Sequence, residues 1–357
     1  MGPGPSMVPK EIYDALATRT IGHLDPAFIN IMNLIKEKQQ AVMQTKNQLT
    51  IPVSGTGSAG METCFVNLVE PGDKVLILSN GVFGKRMTDV AQRLRAEVDV
   101  LEFDWGTPVI PDQVEAQLKG NSYQLVAVVH AETSTGVANP VEEIGALVKK
   151  YTDALYLVDT VTSLGGMPVK TDSWGIDAIY SGTQKCLSCP PGLAPVSFSE
   201  KAVAKLQNRK TKVPNWYLDL TMLINYWSGA KRVYHHTAPI NMLYGLFQAL
   251  DLVLEEGVEK VYQRHREAHQ YLVERLSEVG IEFLVEKGFR LPMLNAVTIP
   301  EGVDEAAVRK SLLEDHQIEI GAGLGPLAGK IWRIGLMGHT ARQENVDRLV
   351  DALKESM

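Results

Sequence analysis

Val53-Ser54-Gly55-Thr56-Gly57-Ser58-Ala59-Gly60-Met61-Glu62 joins an apolar run to a helical pattern through three closely spaced glycines. Glycine lets a backbone turn sharply and approach an anion, and the free N–H groups at a helix start can hold that anion. Gly55, Gly57 and Gly60 match the dinucleotide pattern G-x-G-x-x-G literally. That pattern also needs an acid at the end of the next strand, about 20 residues on. The next apolar run, Lys74–Leu78, ends at Ser79-Asn80-Gly81 instead, and Asp73 precedes it. A single phosphate is therefore the better ligand, with Thr56 and Ser58 adding hydroxyl donors. A nicotinamide dinucleotide is the lesser alternative, and a tight turn without a ligand is the plain one.

Outward from this turn the same rhythm repeats. Strands are expected at Leu49–Val53, Lys74–Leu78, Glu97–Leu101, Gln124–His130, Leu155–Asp159, Ala178–Ser181 and Ala194–Phe198. Several are near-continuous Val, Ile and Leu, as in strands buried on both faces. Helical patterns near 59–69, 84–95, 111–119 and 140–150 separate the first of them. The alternation predicts an α/β fold with a parallel or mixed sheet, whose ligands gather at the carboxyl ends of the strands. After Pro239 come helical patterns at about 240–255 and 259–279, strands at Ile281–Val285, Leu294–Ile299 and Ile331–Ile334, and helices near 304–315 and 344–356. This part predicts a smaller α+β domain. Thr340 with Gln343 is expected to form a capping box ahead of the last helix.

The composition fits a soluble globular chain: 357 residues, 45% hydrophobic and 22% charged. The net charge of −7 offers no global positive field to a nucleic acid or an anionic membrane. Three cysteines are too few for a disulfide scaffold and point to a reducing compartment. The termini carry no secretory or peroxisomal signal, so a cytoplasmic location is expected. The longest stretch free of Asp, Glu, Lys and Arg, Val233–Leu250, is long enough to span a bilayer. Its His235, His236, Thr237, Pro239, Asn241 and Gln248 argue against lipid.

Two charged residues stand at strand ends. Asp159 closes Leu155-Tyr156-Leu157-Val158, where an ionised carboxylate is costly unless paired. Lys185 follows Ser181-Gly182-Thr183-Gln184, so its amine can rise at the same edge of the sheet. A partly desolvated lysine has a lowered pKa and can form an imine with an aldehyde. A carboxylate opposite can keep a pyridine nitrogen protonated, making the ring an electron sink. Lysine, carboxylate and phosphate holder are what pyridoxal phosphate chemistry requires.

The order of these motifs resembles the class V aminotransferases of pyridoxal phosphate fold type I, closest to the alanine–glyoxylate and serine–glyoxylate type. The shared segments are Gly2-Pro3-Gly4-Pro5-Ser6, Ser54 to Glu62, Asn80 to Gly84, His130 to Gly136, Asp159-Thr160-Val161, Tyr180 to Lys185, Pro190-Pro191-Gly192, Tyr234 to Thr237, and Gly323 to Gly335. The resemblance implies that Lys185 is the Schiff-base lysine and Asp159 the partner of the pyridinium nitrogen. It implies that Thr56, Gly57, Ser58 and Gln184 hold the phosphate, that Val161 packs on one ring face and Phe83 stacks on the ring. Ser134 is expected to bond the ring hydroxyl region or the substrate. Tyr234 and Thr237 are expected to reach the phosphate of a neighbouring subunit, which makes the active site a property of a homodimer. Arg333 is expected to bind the substrate carboxylate, and the turn at Gly4 to line the substrate pocket. The chain opens directly on that turn, and a longer native N-terminal arm ahead of it belongs to the same expectation. The implied organisation is an N-terminal segment (1–20), a large cofactor domain (21–256) and a small C-terminal domain (257–357).

The implied reaction is ping-pong transamination through an aldimine at Lys185, from alanine or serine to glyoxylate. Another small 2-oxo acid as acceptor is the alternative. A cysteine desulfurase of the same superfamily is disfavoured, because no cysteine occurs after Cys189. A non-catalytic pyridoxal phosphate sensor is opposed by Arg333 and the intact substrate-side motifs. No metal is expected. His235 and His236, as neighbours in a strand, are expected to point to opposite sides, and Cys186 and Cys189 to be packing residues.

Overall fold

A computed structural model describes residues 1–227 and 232–357. Its first half reproduces the strand–helix alternation. Helices α1 (Lys10–Leu16) and α2 (Pro26–Met43) lead into β1 (Leu49–Ser54) and α3 (Gly57–Leu68). Then follow β2 (Lys74–Ser79), α4 (Val82–Arg93), β3 (Glu97–Glu102), α5 (Pro111–Gly120) and β4 (Leu125–Val129). A short hairpin, β5 (Ala131–Glu132) with β6 (Val137–Ala138), precedes α6 (Val141–Tyr151), β7 (Leu155–Asp159), β8 (Ala178–Tyr180) and β9 (Leu193–Phe198).

Seven strands form one sheet in the order β1-β9-β8-β7-β4-β2-β3. The pairs from β3 to β8 are parallel, whereas β9 runs antiparallel to both β8 and β1. Two antiparallel steps restore the direction, so β1 is parallel to β8 and ends at the same edge. The purely apolar β4, and β7, which is apolar up to its terminal Asp159, are buried along their whole length, because helices cover both faces. Pro52, which cannot donate to a ladder, sits in edge strand β1.

After α7 (Glu200–Gln207) and α8 (Leu220–Trp227) come α9 (Ile240–Glu256) and α10 (Val258–Ser277). A second sheet is antiparallel in the order β10 (Leu294–Thr298), β12 (Ile331–Gly335), β11 (Gly321–Ala322). Its helices are α10, α11 (Glu305–Glu314) and α12 (Gln343–Ser356), and Leu272, Leu312, Trp332, Leu349 and Leu353 form a core of its own.

Two expectations need correction. Ile281–Val285 is not a strand; only Phe283 bridges to Val297, because the chain bends away immediately. Thr340 does not cap α12: its hydroxyl serves Met337, and Arg342 occupies the N-cap without a side-chain bond. The uncharged stretch Val233–Leu250 ends in α9, a buried helix that packs against α1 and α2. Among the described residues, no helix is long and apolar enough to cross a membrane.

Candidate active site

The carboxyl ends of β1, β4, β7 and β8 open onto one cavity. Thr56, Gly57, Ser58, Phe83, Asp159, Val161, Gln184 and Lys185, all anticipated from the sequence, line it together. The glycine turn brings β1 directly into α3, and Thr56 at its N-cap makes no side-chain cap bond. The first N–H groups of α3 therefore need acceptors from outside the helix, which suits an anion there.

Asp159 is buried but not bare. Its Oδ1 accepts the Val161 N–H at 2.8 Å and its Oδ2 the Tyr180 hydroxyl at 2.7 Å. Burial outweighs both bonds and pushes the carboxyl up to about 6. Lys185 is driven the other way, because burial disfavours its charged form and brings the amine down to about 8. Its Nζ donates to the Pro3 carbonyl at 2.5 Å. The N-terminal segment is held there by Ser6, whose hydroxyl donates to Lys185 O at 2.6 Å and whose N–H donates to Gln184 O at 2.8 Å. Farther back, the Gly335 N–H donates to Met1 O at 2.7 Å, which ties the segment to β12. A methyl on Gly4 would stand 2.6 Å from Lys185 Nζ, so only glycine fits beside that amine.

Five anticipated residues lie off the cavity wall. Gly4 packs on Lys185, as just described. Arg333, in the centre of the small sheet, is largely buried; its Nε donates to Ala322 O at 2.8 Å and its Nη1 to Thr133 O at 3.4 Å. Ser134 departs from its expected role. It is fully buried, and its hydroxyl donates to Glu132 Oε1 at 2.5 Å while accepting the Val82 N–H at 3.0 Å, so it faces the protein and not a ligand. Tyr234 and Thr237 are exposed and stand within 3.4 Å of each other, away from this chain's own cavity.

The histidine pair is a further correction. His235 and His236 lie in an irregular segment, not a strand, so their rings meet with Nδ1 atoms 2.9 Å apart, and Trp216 stacks on His235. Among the described residues, no group of three His, Cys, Asp or Glu is placed to hold a metal. Cys186 and Cys189 are buried and unpaired, and burial pushes both thiols up to about 12.

Sequence reading missed Arg86, Thr133 and Tyr180 on the cavity wall and Glu132 behind it. Arg86 follows Phe83 by three, the spacing of neighbours on one helix face, and its guanidinium carbon lies 5.0 Å from the Phe83 ring centre. Tyr180 pairs with Asp159 across β7 and β8, a register that no local pattern reveals.

The family model described as Aminotransferase class-V matches residues 9–349. The chain belongs to the class V aminotransferases. It is 41% identical to a protein of Oryctolagus cuniculus named alanine–glyoxylate aminotransferase, over the full chain and 92% of that protein. It is 40% identical to the (S)-ureidoglycine–glyoxylate transaminase of Bacillus subtilis (strain 168), over 97% of the chain and 87% of that protein. The crystal structure of an alanine–glyoxylate aminotransferase from Nostoc sp. superposes with a TM-score of 0.98 at 49% identity, covering all of this chain and 94% of the other. A class V aminotransferase of fold type I works with pyridoxal phosphate, and the residues present fit that group. Helix α3 offers uncapped N–H groups, and a carboxylate and an amine stand on the same cavity.

Proposed function

We propose that this class V aminotransferase transfers an amino group from a small amino acid, alanine or serine, to glyoxylate, giving glycine and a 2-oxo acid. The observation that carries the reading is the pairing on one cavity of a half-buried amine near pKa 8, Lys185, with a buried and hydrogen-bonded carboxylate, Asp159. Glyoxylate is the substrate that the names of the mammalian, Nostoc and Bacillus relatives have in common.

Pyridoxal phosphate, when bound, supplies an aldehyde that carries the amino group and a ring that takes up carbanion charge. Lys185 Nζ is the group to attach it and to move a proton at the donor's Cα, since a lysine near pKa 8 is both acid and base close to neutral pH. Asp159 is the anion for the ring nitrogen, held in place by Tyr180 and Val161. Thr56, Gly57, Ser58 and Gln184 are the phosphate holders, with Val161 and Phe83 on the ring faces. Arg333 keeps guanidinium donors for a substrate carboxylate, a group that its planar fork matches.

The reading includes a homodimer in which Tyr234 and Thr237 serve the partner's phosphate site, supported by their exposure and by their standing outside the lining of this chain's own cavity. It also includes a cytoplasmic setting, in keeping with three unpaired thiols, and a boundary between the two domains near residue 256, where Gly257 turns from α9 to α10.

The test uses the yellow holoenzyme and single amino acids, followed by absorbance. Alanine or serine should bleach it to the pyridoxamine form, and glyoxylate should restore the colour. No bleaching by any amino acid sinks the aminotransferase reading, and a parent-like rate in Lys185→Ala sinks the assignment of that lysine. Restoration only by another 2-oxo acid moves the acceptor.

A further inference from the structure

Helix α4 carries Phe83 in its first turn, yet its N-cap is Gly81, which has no side chain to close the helix. The closing groups come from about 50 residues away in sequence. Glu132 Oε2 accepts the N–H groups of Phe83 at 3.1 Å and Gly84 at 3.4 Å, and Ser134 Oγ accepts that of Val82 at 3.0 Å. The other oxygen, Oε1, accepts the Ser134 N–H at 3.1 Å and hydroxyl at 2.5 Å. One fully buried carboxylate thus holds the hairpin turn after β5 with one oxygen and the start of α4 with the other. A methyl on Gly81 would stand 2.4 Å from both Glu132 Cδ and Ser134 Oγ, so the glycine at the cap is what lets the carboxylate in.

We infer that Glu132 is the positioning residue for Phe83: its carboxylate closes the start of α4 from across the fold and fixes where the aromatic ring stands on the cavity wall. A negative charge at a helix N-terminus is favoured by the aligned peptide dipoles. Arg333, whose Nη1 reaches the carbonyl of intervening Thr133, adds positive charge nearby. Burial, with the Asp159 carboxylate nearby, pushes Glu132 up to about 7, and the hydrogen bonds from Ser134 and the Gly84 N–H offset part of that rise. Glutamine has the same shape but only one acceptor oxygen, so its NH2 must face N–H donors on one side or the other.

The inference rests on the cavity being the pyridoxal phosphate site, and the experiment separates the two. Cofactor affinity is measured by absorbance titration of the cofactor-free parent, Glu132→Gln, Phe83→Ala and the double variant. Glu132→Gln should bind pyridoxal phosphate about tenfold more weakly, the worth of a charged hydrogen bond. In the Phe83→Ala background the same change should cost about twofold or less, as expected for residues acting through one contact. Parent-like binding by Glu132→Gln, or an undiminished loss in the Phe83→Ala background, overturns it. Should Glu132→Gln fail to fold, Ser134→Ala takes its place in the same cycle with a smaller loss. A parent that binds no pyridoxal phosphate sinks the cofactor reading itself, and this inference with it.

Discussion

The Tyr180 hydroxyl donates to Asp159 Oδ2 at 2.7 Å from the directly paired position of the neighbouring strand. The bond belongs to the sheet register itself: Asp159 ends β7, Tyr180 ends β8, and both project from the same edge. A carboxylate so held is oriented before any ligand arrives.

That arrangement makes a prediction about pH. Asp159 stands at about 6 in the folded protein, above its ordinary 3.8, so the folded state binds the proton more tightly than the unfolded chain. Its contribution to stability is present below the unfolded pKa and is lost as pH rises through the folded one. Cofactor-free Asp159→Asn should therefore gain on the cofactor-free parent as pH rises from about 4 to about 7.5, by something on the order of 2 kcal/mol. Thermal melts of both proteins across that range check the sign; an Asp159→Asn stability that falls relative to the parent as pH rises refutes the argument.

Gly4 makes a second. Alanine there meets Lys185 Nζ at 2.6 Å, in a backbone conformation with φ of +105° that side chains avoid. The amine has to move off the Pro3 carbonyl, or the N-terminal segment has to lift. Gly4→Ala should lower kcat/KM by about tenfold or more, while global stability falls by only about 1 kcal/mol. Steady-state kinetics beside a urea melt distinguishes this from simple unfolding, which would move both together.

Tyr234 and Thr237 make a third. Both stand outside this chain's own cavity. If they complete a partner's site, Lys185→Ala and Tyr234→Ala/Thr237→Val subunits, each weakly active or inactive alone, should regain activity after mixing and re-equilibration. A mixed dimer then holds one site with every group in place and one lacking both contributions, so up to about half a normal dimer's activity is expected per mixed dimer. Activity that never rises above the sum of the two separate proteins disproves the shared site.

Much of the fold was legible because its signals are local. Buried parallel strands must be apolar on both faces, so the runs from Leu49 to Phe198 announced themselves, and the glycine turn announced the strand-to-helix step. Where a segment does not bury a regular face, the signal failed: Ile281–Val285 has strand composition but only one bridged residue. The cavity residues before or after strands were likewise readable, since strand ends at one edge of an α/β sheet converge by topology. Ser134 was misplaced for the opposite reason. A serine in a recognisable motif says that a hydroxyl is there, while its partners, Glu132 and the Val82 N–H, depend on which turn lies opposite.

By itself, then, the sequence determined the strand–helix alternation, the glycine turn at Thr56 to Ser58, and the presence of Asp159 and Lys185 at strand ends. Each follows from side-chain periodicity or from residue chemistry within a few positions. Only the tertiary structure decided that Tyr180 orients Asp159, that the Pro3 carbonyl receives the Lys185 amine, and that Glu132 caps the helix bearing Phe83. These contacts join residues 21, 182 and 49 positions apart, respectively. A hydrogen bond is won or lost over a few tenths of an ångström, and such distances are fixed by the packing of whole elements, not by the order of residues along any one of them.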